Sequence, residues 1–558
     1  MRLLPLCCLL GGPLLLAQEP FRDATDASGI AVSGRVRGVA VCDANGDGHA
    51  DLFLSVLDGP NHLYLNDGHA RFTEAGHRTP LATAGPTHTA LWSDLDQDGD
   101  EDVVLGNYDG PTRIFRNDGG LSFTDVTPAS GIDLTARVVS ASLLDYDGDG
   151  RLDIYLSCLN APNRLYRNLG GLAFAEEGAA AGAAQTGLSM GTLAFDYDLD
   201  GDPDLYLVHD GHQPNVLLRN DGGAFTDVST GSGAGVVGDG MGVDAADFDG
   251  DGDYDLYVTN LYENFLLENR GDGTFREVGF DARVNDLGMG WGTAWLDYDL
   301  DGHPDLYVAN ETAFTVGGRR FNNLLYRNRG DGSFDPAAPP QAAVNSGRSA
   351  YGTATADFNG DGRPDLFVGN SGQPSQLFLN NTVNDHHYAA VAVTVAPGEP
   401  TPVGARVTCW AGGRMYRGEV RAGGGYASQH AATVRFGLAA ASRIDSLVID
   451  WPSGRKDRYY DLAADHTHYL PHTPEQTTSL PAPIPDRLGL FPNPTTGPLQ
   501  LSPALEQVRV YDALGRPLFT LDGESREVVL PAHLPAGLYR VVGFRGGKSY
   551  SGTTYLRH

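Results

Sequence analysis

Seven times the chain writes Asp-x-Asp/Asn-x-Asp-Gly-x-x-Asp, and each copy is followed by a short apolar run. Positions 1, 3, 5 and 9 of the copies are Asp43, Asn45, Asp47 and Asp51; Asp94, Asp96, Asp98 and Asp102; Asp145, Asp147, Asp149 and Asp153; Asp196, Asp198, Asp200 and Asp204; Asp247, Asp249, Asp251 and Asp255; Asp297, Asp299, Asp301 and Asp305; and Asp357, Asn359, Asp361 and Asp365. Side-chain oxygens at these spacings, a glycine at position 6 for the sharp turn and a backbone carbonyl at position 7 suit Ca²⁺, a hard cation that takes six to eight oxygen ligands. Magnesium fits less well, because it keeps its waters. Asp-Gly segments also form tight turns unaided. Seven copies with the same carboxylate positions, however, would repel themselves without a cation. The first and last loops carry Asn at position 3 and so hold less charge.

An EF-hand would need a bidentate Glu at position 12, where the third copy has Leu156 inside an alternating apolar segment. Each loop is therefore predicted to join two strands. The second copy shows the pattern: strands are expected at 89–93, 102–105, 113–117 and 122–126, with turn residues between them. The copies recur at intervals of 50 or 51 residues, with one of 60. Four short strands per repeat is the pattern of propeller blades, which cannot bury their faces alone.

The fold class expected is all-β: a seven-bladed β-propeller with Asp-rich calcium loops at residues 19–381, a small β-domain at 384–471, and a C-terminal β-sandwich-like domain at 487–558. Most units end in a strand such as Phe123-Thr-Asp-Val, but the seventh stops at Leu379-Asn-Asn. Phe21-Arg-Asp-Ala-Thr with Ala27-Ser-Gly-Ile copies Phe123-Thr-Asp-Val-Thr with Ala129-Ser-Gly-Ile. The N-terminal strand is thus expected to complete blade seven and remove the open edge.

The repeats resemble the FG-GAP/VCBS repeats of integrin α-subunit propellers and bacterial surface proteins, over about two thirds of the chain. That resemblance implies a fold and structural calcium loops, up to seven Ca²⁺ sites, but no activity. Gly404-Ala-Arg-Val, Gly423-Gly-Gly-Tyr-Ala-Ser-Gln, Val434-Arg-Phe-Gly-Leu and Trp451-Pro-Ser-Gly-Arg together resemble the ASPIC/UnbV domain shared with the cartilage acidic protein family. Within it, Tyr426, Ser428, Gln429 and Trp451 could form a binding surface or pack at the small domain's edge. Leu490-Phe-Pro-Asn-Pro-Thr-Thr-Gly, Val508-Arg-Val-Tyr-Asp-Ala-Leu-Gly-Arg and Leu534-Pro-Ala-Gly-Leu-Tyr resemble the C-terminal sorting domain of the type IX secretion system. This implies the secretion machinery as a partner, export across an outer membrane and removal of the domain at the surface.

Arg2 and the apolar run 3–16, with Ala17 before Gln18, read as a signal peptide at 1–17, too short for a membrane span, so that no transmembrane segment is expected in the mature chain. Cys7 and Cys8 would leave with it. Cys42, Cys158 and Cys409 are too few and scattered for a disulfide framework. Residues 472–486, rich in Pro and Thr, read as a linker. A net charge of −32 argues against nucleic-acid and anionic-membrane partners. Most of that excess lies in the loops, where about seven Ca²⁺ would cancel about 14 charges.

Chemistry beyond calcium has fewer candidates. Relative to the fifth blade, the sixth carries extra residues at 311–322, where Phe314, Arg319 and Arg320 could hold an acidic sugar or a protein carboxylate. His209 and His212, with His88, could serve as metal ligands or acid–base groups. Met190, Met241, Met289 and Trp291 recur where they would line a central channel. No nucleophile elbow, phosphate-binding glycine loop or zinc motif is present. The reading is a secreted or outer-membrane-surface protein, non-enzymatic, that binds glycan or protein. The alternative is an extracellular polysaccharide-active enzyme, a lyase or dehydratase, and a pure scaffold is a third possibility.

Overall fold

The computed structural model describes residues 19–472 except 84, and in the C-terminal segment 486–487, 489–491, 499–511, 517–531, 534, 537–545 and 548–556. The signal-like segment at 1–17 and most of the 472–486 linker lie outside the described residues. The described chain is predominantly β, and residues 21–380 fold as repeated four-stranded antiparallel sheets of the blade type.

The second unit has strands Thr87–Ser93, Asp102–Asn107, Arg113–Asn117 and Phe123–Asp125, within two residues of the boundaries read from sequence. Its second strand is buried along its whole length, as are those of five other units and the Asp153–Cys158 part of the strand in unit three, because both faces of each sheet are covered. Core clusters form between successive sheets. Phe53, Trp92 and Phe115 pack between units one and two, and Tyr155, Leu205 and Phe225 between units three and four. Leu52, Val36, Phe358 and Phe367 pack between units one and seven.

The N-terminal strand Phe21–Asp23 pairs antiparallel with Gln376–Asn380, the last strand of the seventh unit. Its register, Phe21 opposite Asn380, repeats that of Phe123 opposite Asn117. The sequence copy extends past the strand. Thr25–Ser28 and Thr127–Ser130 are both single helical turns, ended by Gly29 and Gly131 in the left-handed region.

Two departures from a plain repeat stand out. The second strand of unit three runs on to Pro162 and pairs with Thr186–Phe195, the first strand of unit four, so these two units share one sheet. The insertion in unit six folds as a hairpin, Thr315–Val316 against Arg319–Arg320, because Gly317 and Gly318 both take positive φ, as a two-residue primed turn requires.

Residues 387–471 form two further sheets. His387–Thr394 lies between Val434–Ala439 and, in parallel, His466–Pro471. Arg406–Ala411 lies between Arg414–Glu419 and Arg443–Asp450, and Lys456–Ala463 adds the outer strand. The described C-terminal strands join one six-stranded sheet, where two facing sheets were expected. Register shifts along Leu499–Tyr511 let that strand pair at both ends with different partners. Cys42, Cys158 and Cys409 are free, buried strand residues.

Candidate metal loops and the domain docked on them

The acidic loops fold around their own first carboxylate. In the third loop, Asp145 accepts the backbone N–H groups of Asp149 at 3.0 Å and Gly150 at 2.8 Å. Gly150 has φ +86°, a conformation that lets the chain turn the carboxylates inward. Position 4 also lies in the left-handed region, and three loops place a side chain there: Gln97, Leu199 and Leu300.

Three carboxylate oxygens approach within 4.8 Å of one another in five loops. The groups are Asp94, Asp96 and Asp102; Asp145, Asp147 and Asp153; Asp196, Asp198 and Asp204; Asp247, Asp249 and Asp251; and Asp297, Asp299 and Asp305. A divalent cation fits this all-oxygen donor set. Buried oxygens of Asp96, Asp147, Asp196 and Asp299, one in each of four of these loops, make no hydrogen bond in the protein. In the first and last loops, Asn45 and Asn359 instead turn their amide N–H to Asp47 and Asp361, at 2.8 and 3.0 Å.

Position 9 has a second task that sequence reasoning missed. Asp153 accepts the backbone N–H of Tyr146 at 3.1 Å with one oxygen and that of Asn168 at 2.7 Å with the other. Its counterparts in the other six loops do the same, so the last acid of each loop ties it to the end of the unit's third strand. Burial pushes Asp51, Asp102 and Asp153 up to about 8.

The asparagine at that strand end completes the arrangement. Asn168 donates to the carbonyls of Leu152 in its own loop, at 3.0 Å, and of Leu95 in the preceding loop, at 2.9 Å. Asn117, Asn220, Asn269, Asn328 and Asn380 reach back to Ala44, Tyr146, Tyr197, Phe248 and Tyr298. Asn66 of the first unit reaches Phe358 of the seventh at 2.9 Å. The signal was legible as an Asn at the same place in all seven repeats.

The other candidate residues are scattered. His209 is buried at the end of its strand, with Nδ1 2.8 Å from the Pro214 carbonyl, and burial lowers its pKa. His212 is exposed at φ +59°, and its backbone N–H donates to Asp239. Expected as one pair on a loop, these two do not form a common site. His88 lies inside its strand, buried, with Nδ1 2.9 Å from the Val139 carbonyl, and burial takes its pKa down to about 3. Phe314 is half-buried against Tyr262, while Arg319 and Arg320 stand exposed on the hairpin.

Tyr426, Ser428 and Gln429 form neither an exposed surface nor a domain edge. Residues 421–431 leave the second domain and insert among the first strands of the seven units. Leu143 donates to the Ala422 carbonyl, Val243 to Gly425 and Val41 to Gln429, at 2.8–3.0 Å. The Gln429 amide accepts from the Trp92 N–H at 2.9 Å and donates to its carbonyl at 2.8 Å. Tyr426 is buried with Met190, Met241 and Tyr351, and Met289 and Trp291 pack against them, so the four residues expected to line a channel surround it together with Tyr351. The glycine run is steric as well as conformational. A Cβ at Gly423 would sit 2.8 Å from the Ala141 carbonyl oxygen, and Gly423 has φ +116°. Trp451 lies elsewhere, buried against Asp457 and His472.

The same domain covers the acidic loops. Gly398 donates to Gln97 of the second loop and Thr401 to Gly150 of the third. Arg406 pairs with Asp196 of the fourth, Arg417 donates to Gly252 of the fifth, and Arg414 to Asp301 of the sixth at 3.1 Å. Arg435 lies 3.9 Å from Asp357 of the seventh.

Residues 43–105, 94–156, 145–207, 196–258, 247–308 and 313–402 match the FG-GAP-like repeat, and 397–477 match ASPIC and UnbV. The chain is similar to cartilage acidic protein 1 of Mus musculus, 27% identical over 206 residues, covering 34% of this chain and 31% of that protein. The Xenopus tropicalis protein of the same name is 30% identical over 162 residues, covering 26% and 25%. The chain thus matches about a third or less of the length of these relatives. Among solved structures, an Agrocybe aegerita lectin recognising non-reducing terminal N-acetylglucosamine is 21% identical with a TM-score of 0.36, covering 56% of this chain and 81% of that one. A Bacillus licheniformis rhamnogalacturonan lyase is 13% identical with a TM-score of 0.37, covering 62% and 72%. Likeness this distant carries no function.

Proposed function

Because the chain belongs to the FG-GAP-like repeat family and carries an ASPIC and UnbV domain, we propose that it is a calcium-stabilised seven-bladed β-propeller at the cell surface or secreted from it, which binds a glycan or protein ligand without turnover. The observation that carries the reading is the chain of seven asparagine ties, each joining one acidic loop to the preceding one, with Asn66 joining the first to the seventh. Such a circuit favours closure of the units at 19–381 into one ring. It also means that an ion ordering one loop steadies its neighbour.

Calcium would be held by the carboxylates at positions 1, 3, 5 and 9, and its part is structural order. The docked domain at 384–471 covers the loop face and fills the axis with Tyr426. Ligand contact is left to the junction between the docked domain and the loops, or to the opposite end, where the loops joining second and third strands lie. Export through a type IX system, with the signal at 1–17 and the sorting domain at 487–558 removed, belongs to the same reading and rests on the motifs.

A glycan and protein array, probed with the protein in calcium and then in chelator, tests the proposal when the supernatant is analysed for released products. Calcium-dependent retention without products supports it. Unsaturated sugars or new reducing ends in the supernatant would make the protein an enzyme.

A further inference from the structure

A cavity of about 530 Å³ lies between the docked domain and units five to seven, within the roughly 300–1,000 Å³ of small-molecule sites. Exposed Asp249, Gly250 and Gly413 stand at its mouth. Its walls differ in kind. The docked domain contributes four guanidinium groups, Arg414, Arg417, Arg421 and Arg435, together with His430. Tyr254 and Trp295 from the repeats, with Tyr416 and Phe436 from the docked domain, add aromatic faces.

Inside, the charges are built into a network. Arg421 lies 3.2 Å from Glu419 and 3.6 Å from Asp244, and its guanidinium sits 5.2 Å from the Tyr254 ring centre. His430 is 3.5 Å from Asp244, which also accepts the Trp295 backbone N–H at 3.1 Å. The Tyr254 hydroxyl and Arg435 Nε make no hydrogen bond in the protein, so each keeps a donor in reserve.

The charge balance depends on the loops. The four guanidiniums face five carboxylates, Asp244, Glu419, Asp247, Asp249 and Asp297, of which the last three belong to acidic loops five and six. Divalent cations in those two loops would offset part of their carboxylate charge and leave the guanidiniums less neutralised in a low-dielectric pocket. Planar guanidiniums pair with carboxylates in a bidentate manner, and aromatic faces suit the C–H faces of a pyranose.

We propose that this cavity is a calcium-dependent binding site for an acidic saccharide, a uronate unit whose carboxylate meets the docked domain's arginines and whose ring lies against Trp295. The site rests on the binding function proposed above, and places the acidic-sugar contact at the domain junction instead of the 315–320 hairpin.

The test uses the full chain with calcium and uronate mono- to trisaccharides as probes, read by calorimetry and by tryptophan fluorescence. Arg417→Gln and, separately, Trp295→Phe are each expected to weaken uronate binding at least tenfold in protein that still melts cooperatively, since Arg417 also holds Gly252 and Trp295 packs on Tyr257 and Phe334. Arg417→Lys should recover part of the loss, and Arg319→Ala with Arg320→Ala should leave binding unchanged. Two variants on opposite walls keep the test decisive if one of them fails to fold. Uronate binding that survives both wall variants, or that is lost only in the hairpin variant, would overturn the site. So would a protein that retains neutral glycans or proteins on the array but no uronate, an outcome that leaves the general binding function standing.

Discussion

The ring of Tyr426, carried by the docked domain, sits edge-on to the indole of Trp291 in the sixth unit, with centroids 4.9 Å apart and planes at 63°. On its other side it meets His88 of the second unit at 5.7 Å. One side chain of the second domain thus touches strands from distant parts of the repeat array.

Truncating that ring should loosen the docking. Tyr426→Ala removes a fully buried aromatic and is expected to cost about 3–5 kcal/mol. Urea unfolding, with limited proteolysis of the 382–386 connection as a second readout, checks it. Tyr426→Phe should be close to neutral, since the hydroxyl reaches only His88, at 3.5 Å.

Breaking one asparagine tie should be costly in a way that charge does not repair. Asn168→Ala leaves the Leu95 and Leu152 carbonyls without their donor, for about 1–3 kcal/mol. Asn168→Asp should lose as much or more, because an ionised carboxylate cannot donate. Midpoints of chemical unfolding for the two variants decide this, and a near-wild-type Asp variant would deny the tie.

The apo protein should show an inverted pH dependence. Burial raises Asp51, Asp102 and Asp153 from 3.8 to about 8. The folded state then binds more protons than the unfolded state between those values. The stability this supplies is complete below about pH 4 and lost as pH rises toward 8. Urea midpoints of calcium-stripped protein should fall from pH 5 to pH 8, and saturating calcium should flatten the decline by favouring the ionised carboxylates. A midpoint that rises in stripped protein contradicts the burial argument.

Much of this was legible in the chain. Period and turn chemistry gave the units, and the copy of Phe123-Thr-Asp in Phe21-Arg-Asp gave the pairing of the first strand with the last. Local pattern could not show what Gly423–Gln429 does, because its partners are strands hundreds of residues earlier, at Val39, Trp92 and Ala141. The histidines misled for a related reason. His209 follows an apolar run and precedes a turn, a pattern shared by exposed loop residues and by buried strand ends. Asp at position 9 read as a ligand alone, since a backbone acceptor leaves no mark on side-chain spacing.

Removing the closing strand should open the array at one place. Deletion of 19–25 strips Phe21, which is 1% exposed, and leaves Gln376–Asn380 as an edge. Hydrogen exchange should then rise in unit seven and its acidic loop first, with units three and four protected longest. Uniform loss of protection would mean that the strand is not a local closure.

Calcium titration of the stripped full chain, by calorimetry paired with a thermal scan, tests the account most directly. The account predicts binding of several ions and a marked rise in melting temperature. At a free concentration about 100-fold above its Kd, each site adds about 2.7 kcal/mol. Absence of binding heat with an unchanged melt would reduce the seven acidic loops to turns, and would remove calcium from both the fold and the site between the domains.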